Sequence, residues 1–286
     1  MQESPSASLP SAAAPVHQAD RKKAWQRGRS TYRPGRFTGW IVPLLFVAFM
    51  ETGARLGYIP ARLFPPPSEL LQTISQLALR GELLMHVAAS VTRVLTGFIA
   101  GSLLAVATGL LVGLSRRAEA LLEPTFQALR AIPSLAWIPL LLLWLGIDET
   151  PKIVLIAIGA FFPVYLNLVA GIRDIDYSFI EVGIISGLDT RGLIRHILLP
   201  ASLPYLFAGL RNGVSLAWMF LVAAELIAAT KGVGYLLSDG RETGRPDLVL
   251  AAIIVLAILG KLSDGILRRC EQASLRWRDA RLQKQA

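Results

Sequence analysis

Two arginines stand where an apolar chain has no cheap place for charge. Arg130 and Arg211 each fall well inside a long hydrophobic block. A guanidinium at the centre of a membrane helix costs roughly 2.5–3.5 kcal/mol on insertion scales, so it faces protein, water or a ligand. A fixed cation on such a path attracts anions. The competing readings are a side chain that snorkels to the interface and one paired with an acid or a carbonyl. Arg93 and Glu225 lie further toward the outer ends of their blocks and read as structural. Lys261 and Asp264, three residues apart, share a helix face and can neutralise each other.

Other chemistries lack their residues. No Gly-x-x-x-x-Gly-Lys-Ser/Thr is present, so the chain carries no nucleotide-hydrolysing loop. Gly260-Lys261-Leu262-Ser263 does not meet that pattern, and Gly232-Val233-Gly234 has neither a preceding strand nor a third glycine. His-Glu-x-x-His and Gly-x-Ser-x-Gly are absent. His17, His86 and His196 are too scattered for a metal set. A single cysteine, Cys270, allows no internal disulfide. No catalytic residue, cofactor or metal is expected.

The elements that must hold the arginines are membrane helices. The chain has 286 residues, 53% of them hydrophobic, with mean hydropathy +0.51. Its apolar residues come in blocks long enough to cross a bilayer. Six spans are expected, near Thr38–Leu56, His86–Leu114, Leu121–Ile147, Ile153–Ile172, Tyr205–Thr230 and Pro246–Leu267. Gly97 and Gly101, and Gly109 and Gly113, have the small-residue spacing that lets helices approach closely. Between the first two spans, Ser68 to Leu79 reads as an amphipathic surface helix. Residues 1–36 read as a disordered basic tail, 37–270 as the transmembrane domain and 271–286 as a second basic tail. No cleaved signal peptide is expected, because the first apolar block comes late.

Net charge is +9, which on a soluble protein would suggest nucleic acid. Here the cations cluster at the ends of apolar blocks. With six spans, 18 of the 29 Lys and Arg fall on the face that carries both termini, and seven on the other. The positive-inside bias makes the richer face cytoplasmic. Nucleic acid is therefore not an expected partner.

The same count places residues 177–204 in the cytoplasm. This stretch is polar-interrupted but patterned. Gly187 suits the left-handed position after a helix, and Asp189 suits the cap of the next one. Leu193, Ile194, Ile197 and Leu198 share a face at helical spacing, and Pro200 is expected to stop the helix. Two short helices in an elbow follow, tethered at both ends to the membrane.

Glu181, Gly187 after five intervening residues, and Ile197-Leu198-Leu199-Pro200 after nine more resemble the cytoplasmic signature of bacterial ABC importer permeases. The signature's two alanines are replaced here by Val182 and Gly183. Further stretches resemble the subgroup importing aliphatic sulfonates, with relatives for taurine and nitrate. They include Pro65-Pro66-Pro67-Ser68-Glu69, Leu129-Arg130-Ala131-Ile132-Pro133, Gly171-Ile172-Arg173-Asp174 and Gly232-Val233-Gly234-Tyr235. The resemblance implies an all-α polytopic membrane protein, the type I ABC importer permease fold, in the bacterial inner membrane.

It also implies that the elbow is a coupling helix, with Glu181, Gly187, Asp189, Arg191, Leu193, Ile194, Ile197 and Pro200 as its coupling residues. Leu193, Ile194, Ile197 and Leu198 would anchor the second helix to the bundle or to the partner, and Glu181 would fix the elbow by a helix-terminal or ion-pair contact. The implied partners are a separate ATP-binding subunit, a second permease chain and a periplasmic substrate-binding protein. Arg130 or Arg211 would meet the anion. The alternatives are the same machinery moving taurine or nitrate, and an ion-gradient-driven carrier. The latter predicts inverted repeats with broken helices, and no internal repeat is visible in the sequence.

Overall fold

The computed structural model describes residues 41–60 and 62–275. The basic tail expected over residues 1–36, and 276–286 of the second tail, lie outside the described residues. The chain divides into Met1–Phe49 and Met50–Ala286. Helix α1, Ile41–Arg55, crosses that division and covers the described part of the first expected span. All else below concerns the second unit.

There the elements are α2 (Pro67–Leu79), α3 (Glu82–Leu114), α4 (Arg116–Ala131), a 3-10 turn (Ser134–Ala136), α5 (Trp137–Leu145) and α6 (Glu149–Arg173). They continue with α7 (Tyr177–Ile185), α8 (Thr190–Leu193), a π turn (Ile194–Leu198), α9 (Leu199–Ala228), α10 (Val233–Glu242) and α11 (Pro246–Ser274). No strand occurs among the described residues. Among the described residues four helical runs are long and apolar enough to cross a membrane, and the bent pair α4–α5 makes a fifth if it forms one span.

Helix α6 is the hub, packed between α3 and α9. In lipid the hydrophobic effect cannot drive helices together, so close van der Waals contact must. Glycines supply it. A methyl on Gly97 would lie 2.7 Å from Ile156, and one on Gly113 2.6 Å from Ile172. Gly101 abuts the Ala157 carbonyl and Gly109 packs on Leu168. The two glycine pairs of α3 therefore seat it along α6. Ala105, Val112, Phe161, Val164, Tyr165 and Val169 fill the resulting core, with Phe126 of α4 edge-on to Tyr165. On the other flank Leu155 and Ile156 meet Phe220, Leu221 and Ala224 of α9.

Helix α2 packs on α11, as well as on α3, so it is more than a surface helix. Thr73 donates to Asp247 across 2.9 Å in a buried contact.

Two sequence expectations are corrected. The third span is not one helix: α4 and the segment Ser134–Leu145 bend by 81°. Ile132 is extended because the ring of Pro133 disfavours helical backbone before it. Pro139 is tolerated because it falls in the first turn of α5, where its missing N–H would have no helical partner. Nor does Pro200 end the elbow. The Leu199 N–H reaches back five residues to the Ile194 carbonyl. This widened turn absorbs the donor that Pro200 lacks, so helix runs continuously over Thr190–Ile227. The second short helix of the elbow is thus the first turn of a membrane helix.

Candidate coupling elbow and transport path

The elbow is built from local signals. Asp176 caps α7, its carboxylate accepting the Ser178 N–H at 3.0 Å, and this bond holds the carboxyl below the usual carboxylate range. At the other end Gly187 has φ of 77°. The Gly187 N–H bonds to the Ile184 carbonyl and the Leu188 N–H to the Gly183 carbonyl. That bond pair is the Schellman closure, which requires a left-handed residue at Gly187. Asp189 then caps α8, accepting the Gly192 N–H at 2.8 Å.

The apolar residues sort into two sets. Gly183 is buried, and a methyl there would lie 2.5 Å from both Leu193 and Ile197. The half-buried residues of the second helix therefore close the inside of the elbow. The free apolar surface is on α7: Tyr177, Phe179, Val182 and Ile185 are 59–85% exposed. Glu181, Arg191 and Arg195 are exposed and form no salt bridge among the described residues, so Glu181 makes no ion pair that would fix the elbow. The regular apolar spacing of the second helix is that of a face packed within this chain, and the exposed apolar face belongs to the first helix.

The two path arginines part company. Arg211 on α9 is engaged by α11: its Nε lies 2.8 Å from Asp264 and its Nη1 3.4 Å from Glu271. Asp264 thus pairs between helices rather than with Lys261. Arg130 occupies the last turn of α4, is exposed, and forms no salt bridge among the described residues. Cations are favoured at a helix C-terminus. Beside it, Tyr165 donates to Glu123 at 2.7 Å.

At the far end of the bundle lies a network that the sequence only hinted at. The Arg93 guanidinium, 3% exposed, grips Glu149 with two nitrogens, at 2.5 and 2.7 Å. Its third nitrogen donates to Glu225 and to the Lys231 carbonyl, both at 2.6 Å. Glu225 also accepts from the Ser90 hydroxyl at 2.8 Å and from the Gly234 N–H at 2.7 Å. The Ser90 oxygen takes the Val233 N–H, and the His86 Nδ1 takes the Gly232 N–H. The first N–H groups around the start of α10 are thereby satisfied by a carboxylate, a hydroxyl and an imidazole. Gly232, at φ of 135°, passes so close to the Glu225 carboxylate that no side chain fits. Lys152 donates to Glu149 at 3.1 Å, which balances two cations against two acids. The signal for this site was the run Gly232-Val233-Gly234 with a lone glutamate seven residues upstream.

No group of His, Cys, Asp or Glu suited to a metal occurs among the described residues.

The comparisons agree with this architecture. Residues 97–275 match the family described as binding-protein-dependent transport system inner membrane component. An aliphatic sulfonates transport permease of Bacillus subtilis is 40% identical over 263 residues, covering 92% of this chain and 94% of that one. A taurine transport system permease of Escherichia coli is 35% identical over 231 residues, covering 79% and 84%. The fold resembles that in inward-facing structures of the MetNI methionine ABC transporter, with TM-score 0.59, 20% identity, and coverage of 69% of this chain and 98% of that one. The chain is a multi-pass membrane protein and belongs to the family of binding-protein-dependent transport system inner membrane components.

Proposed function

We propose that this chain is the permease of an ATP-driven importer for small organic anions, with aliphatic sulfonates as the favoured class. The relatives named for sulfonates and taurine support that substrate class. ATP is hydrolysed by a separate subunit, since no phosphate-binding loop is present. That subunit docks on the elbow, both termini share its side of the membrane, and a second permease chain completes the path. A substrate-binding protein delivers the anion to the opposite face.

The observation that carries this reading is the exposed face of α7. Four large apolar side chains project from a helix that lies outside every candidate span. Left in water they are a liability; buried in a partner's groove they are anchors. Glu181 on the same helix and Arg191 on α8, both exposed, supply charges for a polar rim, as at protein interfaces generally. The ion-gradient alternative needs an acid free to take up an ion. Glu225, the fully buried acid, is already held by Arg93, Ser90 and Gly234.

The test is Ile185→Asp, with Phe179→Ala beside it. Losing one central anchor costs about 2 kcal/mol or more, some thirtyfold in affinity. Co-purification with the ATP-binding subunit and substrate-stimulated ATP hydrolysis should both fall, while the thermal transition of the isolated chain stays put. Full stimulation in Ile185→Asp would sink the docking assignment.

A further inference from the structure

An apolar cavity of about 410 Å³ lies where α3, α4, α5 and α6 meet. Its walls include Leu104, Phe126, Leu129, Trp137, Ile158 and Phe161. Arg130 directly follows one wall residue, and the recess that contains Arg130 shares Phe126 and Phe162 with the cavity. We infer that this cavity and Arg130 form one site, which takes the alkyl tail and the anionic head of the transported compound. This assignment rests on the transport reading above and deepens it.

Three observations carry it. The first is the backbone break over Ile132–Ala136, between Arg130 and Trp137. Lipid cannot satisfy broken backbone, which is tolerated at membrane depth only against protein or a water-lined cavity. Ile132 and Leu135 are 40% and 49% exposed, so the break is not buried within this chain. It faces a path or a second chain. The second is the contrast in charge. Arg211 is engaged by Asp264 and Glu271, whereas Arg130 has no salt bridge among the described residues. Glu123, the acid in the same recess, is bonded to the Tyr165 hydroxyl and to Gln127 and acts on Arg130 only through space. The third is size and character. The volume falls in the range of roughly 300–1,000 Å³ that holds small ligands, with apolar walls and one polar group to fix orientation.

An inorganic anion would use only the arginine; an alkanesulfonate uses both. The consequence is selectivity by chain length at the membrane step, in addition to any made by the delivering protein.

The experiment uses the permease–ATPase complex in lipid nanodiscs without the binding protein. Butane-, hexane- and octanesulfonate, octylammonium and nitrate are titrated, and the emission of Trp137 is read as the difference from Trp137→Phe. Sulfonate affinity should rise up to about fourfold per methylene. Octanesulfonate should bind at least tenfold more tightly than octylammonium. Ala100→Phe, on an exposed wall position, should flatten the chain-length series. Arg130→Gln should keep that series and lose the head preference.

Equal binding of both octyl compounds would mark a groove for lipid acyl chains and overturn the site. No binding at all, as for a groove covered by a second copy, would also overturn it, as would a series unchanged in Ala100→Phe. ATP-dependent uptake with the binding protein, measured on the same complex reconstituted in sealed proteoliposomes, separates the two readings. Intact uptake leaves the transport reading standing while the cavity falls. Absent uptake of every organic anion removes the transport reading itself.

Discussion

The two ends of the bundle spend their polar and apolar groups in opposite ways. At the Arg93 end, each of the three guanidinium nitrogens has a partner and both Glu225 oxygens are occupied. Three helices and the start of α10 are tied there into one unit. At the elbow, Phe179 and Ile185 are left in the open and Glu181 has no ion-pair partner among the described residues. Inside the elbow, by contrast, Gly183, Leu193 and Ile197 are packed without slack. The difference is that of a finished joint and an unfinished one. A saturated network has two discrete options, intact or broken, and so transmits motion as a rigid piece. A surface that leaves apolar area exposed needs another chain to complete it, and that is where a partner can apply force.

The sharpest way to break this comparison is at Glu225. Glu225→Ala leaves Arg93 buried with only Glu149 and the Lys231 carbonyl, and it frees the Gly234 N–H. Removing one partner of a buried pair costs about 3–5 kcal/mol. The unfolding transition in detergent should fall by that amount. The paired change Arg93→Met with Glu225→Leu should recover most of it, since apolar replacement of a whole buried pair is often neutral. A wild-type transition in Glu225→Ala would show that the network carries no strain of design and that both ends are equally slack.

How much of this was legible follows from the range of each interaction. The elbow was readable because its signals are local: Asp189 caps a helix three residues away, and Gly187 closes one by bonds that span five or fewer residues. The positions of the long spans were readable because apolar run length is a property of the sequence alone, whereas their number was not: four or five runs qualify among the described residues against six expected. Pairing was not. Arg211 meets Asp264 across 53 positions and Arg93 meets Glu225 across 132, and nothing in a local pattern selects those partners from the other acids. The break before Pro133 was hidden because the residues on both sides remain apolar, so hydropathy continues through a bend that backbone sterics impose. Pro200 was misread for the converse reason. A proline forbids one hydrogen bond, and a widened turn can do without that bond. Gly183 stands where the signature has an alanine, and its missing methyl is the space that Leu193 and Ile197 fill.

That reading of Gly183 gives the next test. Alanine adds about 1 kcal/mol of helix propensity, but here the methyl must displace two side-chain ends, an overpacking cost of about 1–3 kcal/mol. Gly183→Ala alone should lower ATP stimulation without lowering co-purification, because the docking face of α7 stays intact while its angle shifts. Adding Leu193→Val and Ile197→Val, which shorten the obstructing chains, should restore coupling. If Gly183→Ala by itself improves stimulation, the inside of the elbow has slack and the contrast with its outside disappears.

The smallest effects are expected at the caps, and they discriminate best between a local and a global role. Asp176→Ala or Asp189→Ala removes one bond to a backbone N–H and loosens the helix start it caps, whereas asparagine at either position keeps the bond. Hydrogen exchange over residues 177–193 should rise about fivefold in the alanine variants and stay near wild type in the asparagine ones. The pH dependence has a definite sign. The Asp176 carboxyl titrates below its unfolded value near 4. Its contribution is therefore complete above that pH and is lost as pH falls through the lower, folded value. Between pH 6 and 8 the elbow's exchange rates should not change from this group, and only below about pH 4 should α7 fray. Because α7 buries little besides Gly183, this loss should stay local and leave the transition of the bundle in place. A cap variant that lowered the bundle's transition as far as Glu225→Ala does would mean that the elbow belongs to the same rigid body as the Arg93 end, and that the two ends are not built differently after all.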